Sequence, residues 1–208
     1  MTWIKFCGCT SLADAEMAVE AGADAVGMIL APSPRRVGID VAREIAGGMP
    51  AGVEAVAVVV NPSPDELDAL LAACPNLTIQ FSGSERPELV ARFGDRAIKA
   101  IHVDARGGTE RLEAACELYP QARVLFDTYG DGLSGGTGQT FAWERVAEFA
   151  RKRNVVIAGG LNPANVDACI RAARPFGVDV RTGIESGGHK DAEKMRAFFS
   201  AVRAADAA

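Results

Sequence analysis

The sequence predicts an α/β protein folded as a closed (β/α)8 barrel, a TIM barrel, with one domain over residues 1–208. Three observations carry that expectation. Short β-branched runs alternate strictly with helical stretches, eight of each, and strands separated by helices pair in parallel through crossover connections. The runs are almost continuously apolar, as in a sheet covered on both faces. The first strand-to-helix turn, Cys7-Gly8-Cys9-Thr10-Ser11, lacks the G-x-G-x-x-G of an open dinucleotide-binding sheet. Eight units in 208 residues leave room only for lean loops.

The elements follow in order. A first strand over 3–7 leads to an Ala-rich helix over 12–21, whose apolar residues recur at spacings of three and four. A strand over 25–30 and a helix over 41–47 come next, then 53–60, the most continuous β-branched run in the chain. In Asn61-Pro62-Ser63-Pro64, Ser63 is placed to cap a helix over 65–73 and Pro64 to take its first position. Strands over 77–81, 97–102, 122–127, 155–158 and 177–180 then alternate with helices over 87–93, 110–118, 142–151, 163–173 and 192–204.

A net charge of −5 and a pI near 5.2 argue against a nucleic-acid groove or an anionic membrane surface. No apolar run has the length of a membrane helix, and residues 1–7 do not read as a signal peptide. Five scattered cysteines with no C-x-x-C pair fit free thiols in a reducing compartment better than disulfides or a zinc site. A soluble cytoplasmic protein without metal is expected. Cys9, Cys74, Cys116 and Cys169 read as small apolar fillers.

In such a barrel the chemistry sits at the C-terminal ends of the strands. Those ends carry Cys7, the loop Pro32-Ser33-Pro34-Arg35-Arg36, Ser82-Gly83, Asp127, Gly159-Gly160-Leu161-Asn162 and Arg181-Thr182-Gly183. Gly159 and Gly160 let a ligand approach the backbone at the start of the 163–173 helix, and Thr182-Gly183 opens a candidate helical turn; the loops after the last two strands are the usual phosphate site of this fold. The same glycines also suit plain tight turns. Asp127 and Cys7 face one mouth as a candidate acid and base for proton transfer on a sugar phosphate, although a buried inert thiol and a capping aspartate are the alternatives. Arg36, in a Pro-stiffened loop, offers a bidentate carboxylate contact or a solvated guanidinium, as its neighbour Arg35 does. Gly135 and Gly136 lie in a Gly-rich stretch that reads as a lid or a flexible loop. His102 reads as a satisfied rim histidine, His189 as solvated, and Arg151-Lys152-Arg153 as a complement to a helix dipole.

Lys5-Phe6-Cys7-Gly8-Cys9-Thr10, Gly22-Ala23-Asp24-Ala25-Val26-Gly27, Ser33-Pro34-Arg35-Arg36, Leu125-Phe126-Asp127-Thr128, Gly135-Gly136-Thr137-Gly138-Gln139-Thr140-Phe141-Ala142-Trp143, Ala158-Gly159-Gly160-Leu161-Asn162-Pro163-Ala164-Asn165-Val166 and Val178-Asp179-Val180 with Gly183-Ile184-Glu185 and Lys190-Asp191, in this order along the whole chain, resemble the phosphoribosylanthranilate isomerase family of tryptophan biosynthesis. The resemblance implies a cofactor-free Amadori rearrangement of a small phosphorylated substrate. It makes Asp127 the general acid at the ribose ring oxygen and Cys7 the general base at C2. Arg36 would hold the anthranilate carboxylate, the amides around Gly160, Thr182 and Gly183 the phosphate, and Gly135-Gly136 would close over the substrate. Monomer and homodimer both suit the family. The chain departs from its usual pattern at Ser82, where a histidine is usual, at Arg181, and at Gly188-His189, which would loosen the last loop. Two rival readings are the sister isomerase of histidine biosynthesis, or a dual-substrate form, and a phosphate-binding pseudoenzyme. Cys7 in place of the sister family's aspartate argues against the first, and the presence of both Cys7 and Asp127 against the second.

Overall fold

A computed structural model describes residues 1–103, 110–128 and 143–208. Its strands are β1 (Trp3–Cys7), β2 (Ala25–Ile29), β3 (Glu54–Val59), β4 (Thr78–Phe81), β5 (Ala97–Val103), β6 (Arg123–Thr128), β7 (Val155–Ile157) and β8 (Gly177–Val180). All pair in parallel in sequence order, and β1 closes onto β8 with Trp3 opposite Gly177 and Phe6 opposite Val180. The helices between them are α1 (Leu12–Glu20), α2 (Ile39–Gly48), α3 (Pro64–Ala73), α4 (Pro87–Ala91), α5 (Glu110–Glu117), α6 (Ala147–Lys152), α7 (Val166–Ala173) and α8 (Ala192–Asp206). The expected closed barrel is what the chain forms.

The period of two along each strand divides the apolar residues into two cores. Ile4, Phe6, Val26, Met28, Ile79, Phe81, Val124, Phe126, Val178 and Val180 face the helices and join one continuous cluster. Ala25, Val56, Ile98, Ala100, Leu125, Val156 and Ala158 fill the lumen, with Trp3 packed beneath them. At that lower end the Arg123 guanidinium lies 5.2 Å from the Trp3 ring and donates to Glu54 at 2.9 Å. The bottom of the barrel is thus plugged by Trp3, Arg123 and Glu54, and the C-terminal mouth is the usual place for chemistry in this fold.

Local signals explain several helix starts. Ser63 accepts from the Glu66 N–H while the Glu66 side chain accepts from the Ser63 N–H, with Pro64 at the first position, the reciprocal arrangement of a capping box. Asp191 caps α8 by accepting from the Glu193 and Lys194 N–H groups.

Three expectations need correction. The last helix before β8 starts at Val166 rather than at 163, because Asn162 and Asn165 first fold the chain into a side-chain-bonded turn: the Asn162 N–H donates to Asn165 Oδ1 and the Ala164 N–H to Asn162 Oδ1, both at 2.8 Å. The final loop, in which Gly188-His189 stands, is not irregular: Gly187 and Gly188 form a defined turn. Both take positive φ, 59° and 86°, in a two-residue turn joining β9 (Glu185–Ser186) to β10 (His189–Lys190) as an antiparallel hairpin. Arg153 does more than complement a dipole: it donates to the carbonyls of Cys116, Tyr119 and Ala122 at 2.7–2.8 Å, pinning α5 to the start of β6.

Lys99 points from β5 into the helix-facing layer, where it is 3% exposed. Its Nζ donates to the Gly83 carbonyl at 2.6 Å and to Glu85 Oε2 at 2.8 Å, and Glu85 in turn accepts from the Asn61 and Gly83 N–H groups. Burial pushes the Glu85 carboxyl up, but the Lys99 bond, the backbone N–H groups of Asn61 and of Glu85 itself, and the Lys99 charge outweigh it and hold it below the usual carboxylate value. Lys99→Met leaves that carboxylate buried without its countercharge and is expected to cost about 3–5 kcal/mol in urea denaturation. Adding Glu85→Gln should recover part of the loss.

Candidate active site

Cys7 ends β1 and turns into the mouth, 5% exposed, packed with Ile29, Ala31 and Val58. Two residues earlier on the same face is Lys5, with no exposed surface at all. Its Nζ donates to Asp179 Oδ1 at 2.9 Å across the β1–β8 junction. Burial alone disfavours the ammonium. The Asp179 carboxylate, and the Cys7 sulfur in its thiolate form, more than compensate and hold Lys5 above its ordinary value. Room for this arrangement comes from β2. Gly27 is the partner of Cys7 in register, and a Cβ there would lie 2.8 Å from the Cys7 sulfur and 3.0 Å from Lys5 Nζ.

Asp127, on β6, titrates above the ordinary carboxylate value. Burial is the main cause and the Asp179 charge the second; His102, its partner in the β5–β6 register, opposes them together with Arg181 and Lys5. A carboxyl so placed keeps its proton more readily, as a general acid requires. Arg181 follows β8, and a Cβ at Gly8 would meet its Cγ and the Arg35 Cδ at 3.2 Å each. Two arginine stems therefore converge over the residue after Cys7.

The loops after β7 and β8 meet. Gly159 and Gly160 take φ of 86° and 67°, conformations that L side chains rarely adopt. Thr182–Ile184 form a single 3-10 turn, as the sequence suggested. A Cβ at Gly183 would fall 2.0 Å from the Leu161 carbonyl oxygen, so only glycine permits this contact. Asn165 Nδ2 donates to the Gly160 carbonyl at 3.0 Å and holds the first loop in shape. The N–H groups of Asn162, Ala164, Asn165 and Val166 are used within that turn; Gly160, Thr182 and Gly183, the anion donors that the resemblance implies, lie where the two loops meet.

Arg36 lies exposed on the rim beyond β2, with Nε donating to the Leu30 carbonyl at 3.0 Å. Arg35 is not the solvated arginine expected: it forms a two-point pair with Glu185, an 8% exposed carboxylate in the hairpin. Glu185 also accepts from Lys190 at 2.8 Å, and Lys190 Nζ donates to the Cys7 carbonyl at 2.6 Å. Burial raises the Glu185 carboxyl, yet the bonds from Arg35 and Lys190 leave it below its usual value. Gly135 and Gly136, the expected lid, lie outside the described residues. Lys5, Asp179, Glu185 and Lys190 were not among the expected site residues. The position of Lys5 two residues before Cys7, on the same face of a strand, was the signal available for the first of them.

A closed parallel barrel with Lys5, Cys7, Asp127 and Asp179 at one mouth defines the class: the chain is a (β/α)8 barrel with a candidate acid–base site. The family model "N-(5'phosphoribosyl)anthranilate (PRA) isomerase" matches residues 4–201, and the chain belongs to that family, the PRA isomerases of tryptophan biosynthesis. It is 44% identical over 205 residues to the N-(5'-phosphoribosyl)anthranilate isomerase of Desulforudis audaxviator, covering 99% of this chain and 100% of the relative. The crystal structure of phosphoribosyl anthranilate isomerase from Thermotoga maritima superposes with a TM-score of 0.87 at 34% identity, over 98% of this chain and 100% of that one. A PRA isomerase crystallised with reduced 1-(o-carboxyphenylamino)-1-deoxyribulose 5-phosphate gives 0.83 at 32% identity, with the same coverage. No helix among the described residues is long and apolar enough to cross a membrane.

The raised Asp127 carboxyl fixes the sign of a pH effect. Between the ordinary value of 3.8 and the raised native value, the folded chain holds a proton that the unfolded chain has released. Stability therefore falls as pH rises through that window. Asp127→Asn is expected to remove this slope, leaving the variant more stable than the wild type above the window, as urea denaturation at stepped pH will show.

Proposed function

We propose that this chain, as a single barrel domain over 1–208, converts N-(5-phosphoribosyl)anthranilate to 1-(2-carboxyphenylamino)-1-deoxyribulose 5-phosphate by acid–base catalysis with its own side chains. The observation that carries this reading is the pairing, at one mouth, of a carboxyl raised by burial and a thiol beside a fully buried ammonium. Asp127 gives its proton to the ribose ring oxygen as the C1–O bond breaks, and the anilino nitrogen lone pair forms the C1=N bond of a protonated Schiff base. Cys7, as thiolate, takes the proton from C2, and that electron pair becomes the C1=C2 bond of an enolamine while the iminium is neutralised. Tautomerisation then moves the enol proton to C1 and leaves the C2 ketone. Lys5 lies where the negative charge on sulfur is balanced, an electrostatic role that needs no motion during the reaction.

The two charged ends of the substrate suit two different loops of the rim, those after β7 and β8 and that after β2. The phosphate fits the amides of Gly160, Thr182 and Gly183, with Gly159 shaping the loop, and Arg181 adds positive charge nearby. The anthranilate carboxylate fits Arg36, whose planar guanidinium matches it. The chain is read as acting in the cytoplasm, as monomer or homodimer.

The test is the loss of anthranilate fluorescence from freshly generated phosphoribosylanthranilate. Cys7→Ala and Asp127→Asn are each expected to lower kcat about 10²–10⁴-fold with little change in KM. Arg36→Ala should chiefly raise KM, by about 10–100-fold, as loss of a hydrogen bond to a charged group does. A near-normal kcat in Cys7→Ala would move the base to another residue.

A further inference from the structure

Gln80 has a place in the barrel that neither the fold nor the proposed chemistry explains. On β4, Ile79 and Phe81 face the helix-side core, so Thr78 and Gln80 face the lumen. Thr78 lies at the plugged end and donates to Glu54 at 2.9 Å. Gln80 lies one level higher. Its register partners are Val58, which packs with Cys7 and Ile29, and Ile98, which belongs to the lumen core. The residue is 6% exposed. Its Nε2 donates to Ser82 Oγ at 3.2 Å, but Oε1 accepts from no donor among the described residues.

A buried amide oxygen without a partner carries its full desolvation penalty, and an apolar residue of similar size, such as those on either side, would avoid it. A buried acceptor left open in this way calls for an explanation, and a donor brought by a ligand supplies one. The chemistry of the oxygen limits what that donor is. An acceptor repels anions, and the two anionic ends of the proposed substrate already have cationic or N–H partners at the rim. What remains, at the level of Cys7, is the neutral sugar chain with its hydroxyls. Resting on the proposed function, we infer that Gln80 is a substrate-binding residue: Oε1 accepts a hydrogen bond from a sugar hydroxyl of the bound phosphoribosyl compound. Ser82, which stands where the family resemblance expects a histidine, fixes the amide by taking its N–H.

The experiment compares wild type with Gln80→Met, which keeps the length and removes both polar atoms, and with Gln80→Asn, which keeps an amide but withdraws it by one methylene. Turnover of phosphoribosylanthranilate, binding of reduced 1-(o-carboxyphenylamino)-1-deoxyribulose 5-phosphate, binding of inorganic phosphate and the thermal midpoint are all measured. Both variants are expected to lose about 10–100-fold in kcat/KM and in affinity for the reduced product. Inorganic phosphate binding should not change, and the midpoint of Gln80→Met should equal or exceed that of wild type, since an open buried acceptor is removed. Unchanged kcat/KM in Gln80→Met overturns the inference, as it would if the oxygen's partner were only water. So does a parallel loss of reduced-product binding, phosphate binding and midpoint, which marks a purely structural residue. A wild type that binds the reduced product but does not turn over the substrate contradicts the proposed reaction and leaves the binding inference to the variants' affinities.

Discussion

The site depends on one ion pair sealed inside the barrel, Lys5 with Asp179. An ammonium with no exposed surface must be paired, because the penalty for an isolated buried charge exceeds what its packing returns. The pair has consequences in both directions around the lumen. Toward β1 it puts positive charge beside the Cys7 sulfur, in a space kept open by the missing side chain of Gly27. Toward β6 the Asp179 carboxylate helps hold the Asp127 carboxyl above its ordinary value. One buried pair thus sets a cation beside Cys7 and an anion near Asp127, and it does so from strands rather than loops, where geometry is best fixed.

The rim is organised by the same device used outside the lumen. Lys190 reaches under the end of β1 to the Cys7 carbonyl while bound to Glu185, and Glu185 also holds Arg35 of the loop beyond β2. Lys99 reaches the Gly83 carbonyl at the end of β4 while bound to Glu85, which holds the Asn61 N–H beyond β3. In each case a buried lysine satisfies a strand-end carbonyl and a glutamate joins neighbouring loops. Lean loops offer little apolar surface of their own, so their positions are set by charged hydrogen bonds, which are directional and strong when shielded from water. Arg35 anchors the segment from which Arg36 projects. Adjacent arginines with the same sequence context therefore differ in kind: one is a tether, and the other remains exposed at the rim.

Much of the fold was legible because barrel strands and their helices announce themselves by alternation and by punctuation. Ser63-Pro64 marked a helix start that the capping box bears out. Cys7, Asp127, Gly159-Gly160 and Thr182-Gly183 could be placed on the mouth from the strand ends alone. What stayed hidden was the direction in which strand residues point. When both faces of a strand are buried, the run reads as uniformly apolar, and nothing in Trp3-Ile4-Lys5-Phe6-Cys7 declares that the lysine faces a lumen instead of solvent. Asp179 was obscured in the same way, and so was Gln80. The hairpin over Glu185–Lys190 had a signal in Gly187-Gly188, a pair suited to a two-residue turn, but a two-residue strand is too short for periodicity to reveal. The turn ahead of α7 was invisible for a different reason: Asn162 and Asn165 replace the first helical bonds with side-chain ones, and that competition is settled only by the loop's contacts.

The residue at the end of β1 enters the charge balance of a closed space. With Lys5 and Asp179 paired, the charges of these two side chains balance each other. A carboxylate in place of Cys7 would add a second permanent anion beside Asp179, and repulsion between them would be relieved by protonating one of the two. A thiol differs in that it is neutral when protonated and acquires charge only by releasing the proton. The extra negative charge then appears next to Lys5 and disappears again once the sulfur is reprotonated. The sulfur also packs among Ile29, Ala31 and Val58 without an unsatisfied polar group, which a carboxylate there would have. A lumen in which Lys5 already pairs with Asp179 is thereby suited to a side chain whose charge is transient, and the Cys7 thiol is one.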